Sequence, residues 1–311
     1  MSKKLAFVFP GQGSQASGML SELASIYPLV NQVFDEASEI LAYDLWELVQ
    51  NNPDEALNKT EITQPALLTS SIAIWRVWEA EGGESPALFA GHSLGEYSAL
   101  VCAGVIAFAD AVELVKERGR LMQEAVNPGD GAMAAILGLD DEIVEQVCNQ
   151  AGVMGVVTPA NYNSPGQLVI AGECKAVEHA SQLAKEAGAK RALLLPVSVP
   201  SHCALMLPAA DKFISKLDEV NFQEAHTAII QNVDVEIRTD AKAIKASLLR
   251  QLHEPVRWTQ SIRKMAAEEV TDIVECGPGK ILAGLIKRID RSLQVYPVFD
   301  STTLQTALTR E

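Results

Sequence analysis

Residues 87–104 read ALFAGHSLGEYSALVCAG, and this stretch decides the fold. ALFAG (87–91) is a short apolar run of the kind that forms a buried parallel strand. SLGEYSALVCAG follows without a spacer and carries a helical pattern. Between them Gly91-His92-Ser93-Leu94-Gly95 fits G-x-S-x-G. Strand, sharp turn and helix in that order make a nucleophile elbow, with Ser93 raised at the turn. The flanking glycines are expected to let the chain turn and to hold Ser93 in a strained, exposed conformation. The helix start would offer the Leu94 amide to a developing oxyanion. The plainer reading is a strand-to-helix turn with Ser93 as N-cap; strand, glycines and helix together favour catalysis.

Outward from the elbow the pattern alternates. LAFVF (5–9) is another apolar run, closed by Pro10 and Gly11, and helical patterns cover 18–42 and 65–82. This β/α alternation predicts a sheet covered on both faces. Residues 131–196 change rhythm. GAMAAILGL reads as a strand, then DDEIVEQVCNQAG as a helix stopped at Gly152. VVTPANY and QLVIAG read as strands joined by a turn at Ser164-Pro165-Gly166, KAVEHASQLAKEAG as a second helix, and KRALLLPV as a last strand. The order βαββαβ is that of a ferredoxin-like unit. After Pro200 alternation resumes, with strands at AIIQN, DIVECG and VYPVF and helices near 205–219, 241–252, 258–269 and 280–289. The expected organisation is an α/β catalytic domain of residues 1–127 and 198–311, interrupted by an insertion at 128–197.

The bulk composition narrows the partners. A formal net charge of −15 disfavours nucleic acid and anionic membrane surfaces. No apolar run approaches the ~18 residues of a membrane span, and the N-terminal apolar stretch ends at Pro10, too early for a secretory core. Cys102, Cys148, Cys174, Cys203 and Cys276 are odd in number and scattered without CxxC spacing. That argues against a structural zinc site and for a reducing cytoplasm.

A serine nucleophile needs a base, and there are five histidines. His92 adjoins the nucleophile, but on an elbow its side chain should point away from Ser93. His179 falls on the polar flank of an insertion helix, His226 follows a charged stretch, and His253 sits in a connection ended by Pro255. His202 remains. It stands after the strand LLLPVSV and just before a helix expected to start near Ala204, where the helix N-terminus would keep the imidazole neutral.

One cation is misplaced for a surface helix. In ADAVELVKERGRLMQEAV (109–126), Arg118 shares a face with Leu114, Val115, Leu121 and Met122, whereas Lys116, Glu117 and Arg120 lie off that stripe. A guanidinium on a core face must be paired. Its partner is either an internal carboxylate or a carboxylate on the substrate, and spacing alone leaves both open. Gly11-Gln12-Gly13-Ser14-Gln15-Ala16 formally matches a dinucleotide fingerprint with Asp35 downstream. Pro10 before the first glycine and Asp35 within a helical run argue against that use. A second oxyanion amide, from Gln12, fits the elbow better.

FVFPGQGSQ, GHSLGEYSAL, NYNSPGQLVIAG, PVSVPSHCALM and ECGPGKIL, in this order from residue 5 to about 290, resemble the bacterial malonyl-CoA:acyl-carrier-protein transacylase family. The resemblance implies an α/β-hydrolase-like large domain with a ferredoxin-like insertion. It makes Ser93 the acylated nucleophile, His202 its base, and the amides of Gln12 and Leu94 the oxyanion hole. Gln251 matches the residue whose backbone carbonyl orients the histidine, and Arg118 the clamp on the malonyl carboxylate. Asn161 and Asn163 match positions at the site's mouth, and Met122 and His92 are placed with the substrate-binding residues. The partners implied are malonyl-CoA and holo acyl carrier protein, with no cofactor and no metal, and a monomer is expected. Ser201 before the histidine does not exclude methylmalonyl-CoA, and a serine thioesterase would use the same elbow. Because the carrier protein is typically acidic, its docking calls for a local basic patch, for which Lys190, Arg191, Lys280, Lys287 and Arg288 are candidates.

Overall fold

Every second residue of LAFVF faces the same way, and the structure uses both sides. In the computed structural model, which describes residues 4–197 and 199–310, Leu5, Phe7 and Phe9 enter one apolar core while Ala6 and Val8 enter another. Such a strand must lie mid-sheet with layers on both faces. The limits Met1, Ser198 and Glu311 expected for the large domain lie outside the described residues.

Ten strands are present among these residues: β1 (Leu5–Phe9), β2 (Leu88–Gly91), β3 (Gly131–Leu137), β4 (Val157–Ser164), β5 (Gln167–Glu173), β6 (Arg191–Leu194), β7 (Ala228–Ile230), β8 (Ile237–Arg238), β9 (Asp272–Cys276) and β10 (Gln294–Val298). Six form one sheet in the order β10-β9-β1-β2-β7-β8, parallel except for β8. Its larger core packs Phe7 and Phe89 edge-on against Trp75 and Trp78 of helix Thr60–Ala80. The other four strands form an antiparallel sheet, β4-β5-β3-β6, backed by helices Asp141–Ala151 and Cys174–Glu186. Its edge strand β4 is tied to the large unit at Val256, which exchanges backbone hydrogen bonds with Ala160 and Tyr162.

One local expectation needs correction. The pattern at 18–42 is two helices, Ser21–Ile26 and Pro28–Leu41, because Pro28 cannot donate into the preceding turn and opens a new helix instead. The α-helix Asp141–Ala151 stops at Gly152 as expected, and the chain passes on through a 3₁₀ turn, Gly152–Met154, to Gly155 at φ 136°. The short β8 and helices Leu45–Asn51 and Ser301–Thr309 were not legible in the apolar pattern.

The strained residue of the elbow is Ser93, in line with expectation, and the glycines make room for it. Neither Gly91 nor Gly95 has a positive φ; Ser93 itself does, at 53°. The glycines serve close approach. A Cβ on Gly95 would lie 2.0 Å from the Phe9 carbonyl oxygen, and one on Gly91 would lie 1.9 Å from the Gly95 carbonyl carbon. Both obstacles are backbone and cannot swing aside. Gly95→Ala should therefore cost at least ~2 kcal/mol, the upper part of the overpacking range. The check is a lower urea midpoint at unchanged m-value, together with slowed acylation; an unchanged midpoint would contradict the packing argument.

Candidate active site

The end of β2 delivers Ser93 to the carboxyl edge of the parallel sheet, where open α/β sheets place their ligands. Three backbone hydrogen bonds seat the turn: His92 N donates to Phe9 O, Gly95 N to His92 O, and Glu96 N to Ser93 O. A non-glycine residue at φ 53° costs ~1–3 kcal/mol, so the surroundings must hold it. His202 arrives from the opposite side, also left-handed at φ 63°. Its backbone N donates to Leu252 O. Ser93 Oγ and His202 Nε2 are 2.8 Å apart.

His202 Nδ1 lies 2.7 Å from the Gln251 carbonyl oxygen. A carbonyl can only accept, so Nδ1 carries the hydrogen and Nε2 is left with a lone pair facing the serine hydroxyl. His202 is almost wholly buried, at 3% exposure. Burial, then the nearby Arg118 guanidinium, lower its pKa to about 3. Those causes keep the ring neutral; the segment that follows is only a 3₁₀ turn, Ala204–Met206, before helix Leu207–Glu219.

Arg118 is buried to 1% exposure on helix Phe108–Glu124, among Leu114, Val115, Leu121 and Met122. Gly119 beside it allows close crossing of helix Thr60–Ala80, since a Cβ there would sit 2.7 Å from Thr60 O. The guanidinium donates to Gln64 Oε1 (2.9 Å), Gln251 Oε1 (3.0 Å) and Ser93 Oγ (3.3 Å), and lies over the Tyr97 ring. Its hydrogen-bond partners are neutral, and among the described residues no carboxylate forms an ion pair with it. Of the two partners the sequence left open, the internal salt bridge is thus not the arrangement found.

A pocket of about 120 Å³ joins these groups, lined by Gln12, Gln64, His92, Ser93, Arg118 and Asn161 among others. Leu94, Met122 and Ser201 also line it. Gln12 and Leu94 both belong to this wall, and among the described residues neither backbone amide donates to a protein acceptor. The loop of Gln12 rests on the elbow: a Cβ on Gly11 would meet His92 O at 2.4 Å. Asp35 lies within helix Pro28–Leu41, not at the end of a second strand. Asn163 accepts from His92 Nε2 at 2.8 Å, while the His92 ring packs on Trp258. His92 is therefore turned away from the Ser93 hydroxyl yet still forms part of the wall.

Three contributors were missed by sequence reasoning. Gln64 holds Arg118 from helix Thr60–Ala80, its own amide turned toward Met122 Sδ. Asn232, just past β7, accepts from Ser93 N at 2.7 Å and donates to Gly91 O at 2.6 Å, bracing the strained turn. Glu96, wholly buried, accepts from Gln251 Nε2 at 2.7 Å. A carboxyl on the apolar run GEYSALVC was as conspicuous as Arg118 on its stripe. Asn232 ends the strand AIIQN, and that position was the available clue.

The chain is similar to known proteins along nearly its full length. The acyl transferase domain model matches residues 6–300. The malonyl CoA-acyl carrier protein transacylase of Salmonella typhimurium is 57% identical over 307 residues, 99% of each chain. The solved acyl carrier protein S-malonyltransferase of Vibrio cholerae superposes with a TM-score of 0.96 at 58% identity, covering 98% of this chain and 99% of that one. A chain in the solved complex of a type II PKS acyl-carrier protein with its malonyl-transacylase gives a TM-score of 0.98 at 55% identity, covering 99% and 100%.

Proposed function

The chain belongs to the family of malonyl CoA-acyl carrier protein transacylases, and on that premise we propose that Ser93 carries the malonyl group between two thiols. The enzyme transfers malonyl from malonyl-CoA to acyl carrier protein, supplying the extender unit of fatty acid synthesis. The single observation that carries the substrate reading is Arg118: a buried cation with neutral partners, within 3.3 Å of the nucleophile. Malonyl differs from acetyl by one carboxylate, and Arg118 supplies the fork to receive it.

The chemistry follows from the hydrogen bonds. Ser93 Oγ attacks the thioester carbonyl carbon as its proton passes to His202 Nε2. The new oxyanion faces the amides of Gln12 and Leu94. As the C–S bond breaks, His202 returns the proton to the CoA sulfur, leaving the malonyl ester on Ser93. In the second half the phosphopantetheine thiol gives its proton to His202, its sulfur attacks the ester carbonyl, and the proton ends on Ser93 Oγ. Gln251 O keeps the ring in the reactive tautomer, as a triad acid would. No cofactor is assigned beyond the CoA and phosphopantetheine carried by the substrates.

The architecture we assign is an α/β-hydrolase-like domain with a ferredoxin-like insertion at 128–197, supported by the strand order of each sheet. The protein is read as a cytoplasmic monomer; no helix among the described residues is long and apolar enough to cross a membrane. Arg191, Lys280 and Lys287 are exposed, and Lys190 and Arg288 line one groove, which supports a basic landing site for the carrier. The test is steady-state transfer between malonyl-CoA and holo carrier protein. Double-reciprocal plots should be parallel, and acylation should show no acid limb near the ordinary histidine pKa of ~6.5, because His202 is already neutral there. Intersecting plots would argue against the ester intermediate, and a limb at ~6.5 against the buried neutral base.

A further inference from the structure

Glu96 lies at the junction of everything that positions Ser93. Its Oε2 accepts from Gln251 Nε2 at 2.7 Å and from Asn232 N at 3.3 Å. Asn232 holds both sides of the turn through Ser93 N and Gly91 O. Gln251 presents its backbone oxygen to His202, its Nε2 also to Ser93 O, and its Oε1 to Arg118. A single side-chain amide thus separates the Glu96 carboxyl from the Arg118 guanidinium. The second carboxyl oxygen, Oε1, is buried and has no hydrogen-bond partner among the described residues. An ionised carboxylate would leave that oxygen charged and unsolvated, whereas a protonated one is neutral.

We propose that Glu96 works as a neutral, protonated carboxylic acid, a positioning residue that braces Gln251 and Asn232 while leaving the Arg118 charge free for the substrate carboxylate. This rests on the malonyl reading above. An ionised Glu96 would brace the same two amides but would also set a negative charge one amide away from Arg118. The guanidinium would then be partly neutralised, and a second carboxylate would enter against repulsion. The charged and titratable groups facing Glu96 are Arg118 across the Gln251 amide, Tyr97 on its own helix, and Asp234 beyond Asn232. Asp234 is itself paired with Arg238 and Arg250. Burial, the dominant effect, pushes the Glu96 carboxyl up to about 8, while Tyr97 is raised beyond the ordinary phenol value.

Protonation therefore makes acyl selectivity depend on pH. The ratio of malonyl to acetyl acylation rates, which cancels pH effects common to both thioesters, is measured on wild type from pH 6.5 to 9.5. It should fall about tenfold or more as Glu96 ionises, given the strength of a nearby charge at an effective dielectric of about 20. Glu96→Gln mimics the protonated acid, and its ratio should stay flat over the same range. Glu96→Ala should slow acylation with both thioesters roughly tenfold or more by freeing Gln251, and Glu96→Gln should restore most of that loss. Independently of any turnover, the infrared difference between wild type and Glu96→Gln at pH 7 should contain a protonated-carboxyl stretch that vanishes at pH 9.5. A wild-type ratio that stays flat, or an ionised-carboxylate band at pH 7, overturns this inference alone. Failure of wild type to take up malonyl at pH 7 overturns the malonyl reading and this inference with it.

Discussion

Ser93→Ala is expected to take up no malonyl group from malonyl-CoA, whereas wild type should gain one malonyl mass, read by intact-protein mass spectrometry after brief mixing. The expected loss of transfer is at least ~10⁴-fold, the scale seen when a nucleophile is removed from a group of residues acting as a unit. The argument is geometric. Ser93 Oγ is the hydroxyl that combines a neutral imidazole at 2.8 Å with the guanidinium at 3.3 Å, in the pocket lined by Gln12 and Leu94. Water in its place would have to be bound, oriented and deprotonated by the same histidine. Because Ser93 Oγ only accepts from Arg118 and shares a hydrogen with His202, its removal leaves no large void, and the variant should fold. A malonyl adduct on Ser93→Ala would move the nucleophile elsewhere and end the assignment. An unmodified wild type would end the covalent mechanism itself.

Arg118→Ala should convert a malonyl-selective enzyme into one that hardly distinguishes malonyl from acetyl. Removing one partner of a buried, hydrogen-bonded charge pair costs about 2–5 kcal/mol. At about 1.4 kcal/mol per tenfold, malonyl acylation should fall between ~30-fold and ~4000-fold. Acetyl acylation has no carboxylate to lose and should change by much less. Some common loss is expected, since Gln64 Oε1 and Gln251 Oε1 both give up their donor. The base is spared because His202 is held by the Gln251 backbone, not its side chain. Arg118→Lys should fall between the two: the charge persists, but the planar fork does not. The measurement is acylation rate against both thioesters, and an equal loss with each would make Arg118 a structural cation rather than a clamp.

Much of this was legible in one dimension because the signals are local. A strand, a pentapeptide and a helix in immediate succession leave Ser93 few alternatives, since the chain has no slack in which to do anything else. Arg118 was visible for a similar reason: helical periodicity puts it beside Leu114, Val115, Leu121 and Met122 whatever the helix packs against. The βαββαβ order likewise needed only the switch between two periodicities. Where local signals misled, the physical reason is specific. The pattern across 18–42 read as one helical stretch, but Pro28 cannot donate into the preceding turn and splits it into two helices.

Composition, periodicity and motif thus determined the β/α alternation, the elbow and the out-of-place arginine, and resemblance supplied the reaction. Tertiary structure alone decided what meets what. Ser93 and His202 are 109 positions apart, Arg118 and Gln251 133 apart, and Asn232 and Gly91 141 apart. No periodicity reaches across such separations; the parallel sheet does, by bringing the end of β2 beside the end of β7 and the loop after β1. That no carboxylate among the described residues pairs with Arg118, and that Glu96 is buried one amide away from it, are properties of a closed core. They exist only once distant segments have excluded water from the same small volume.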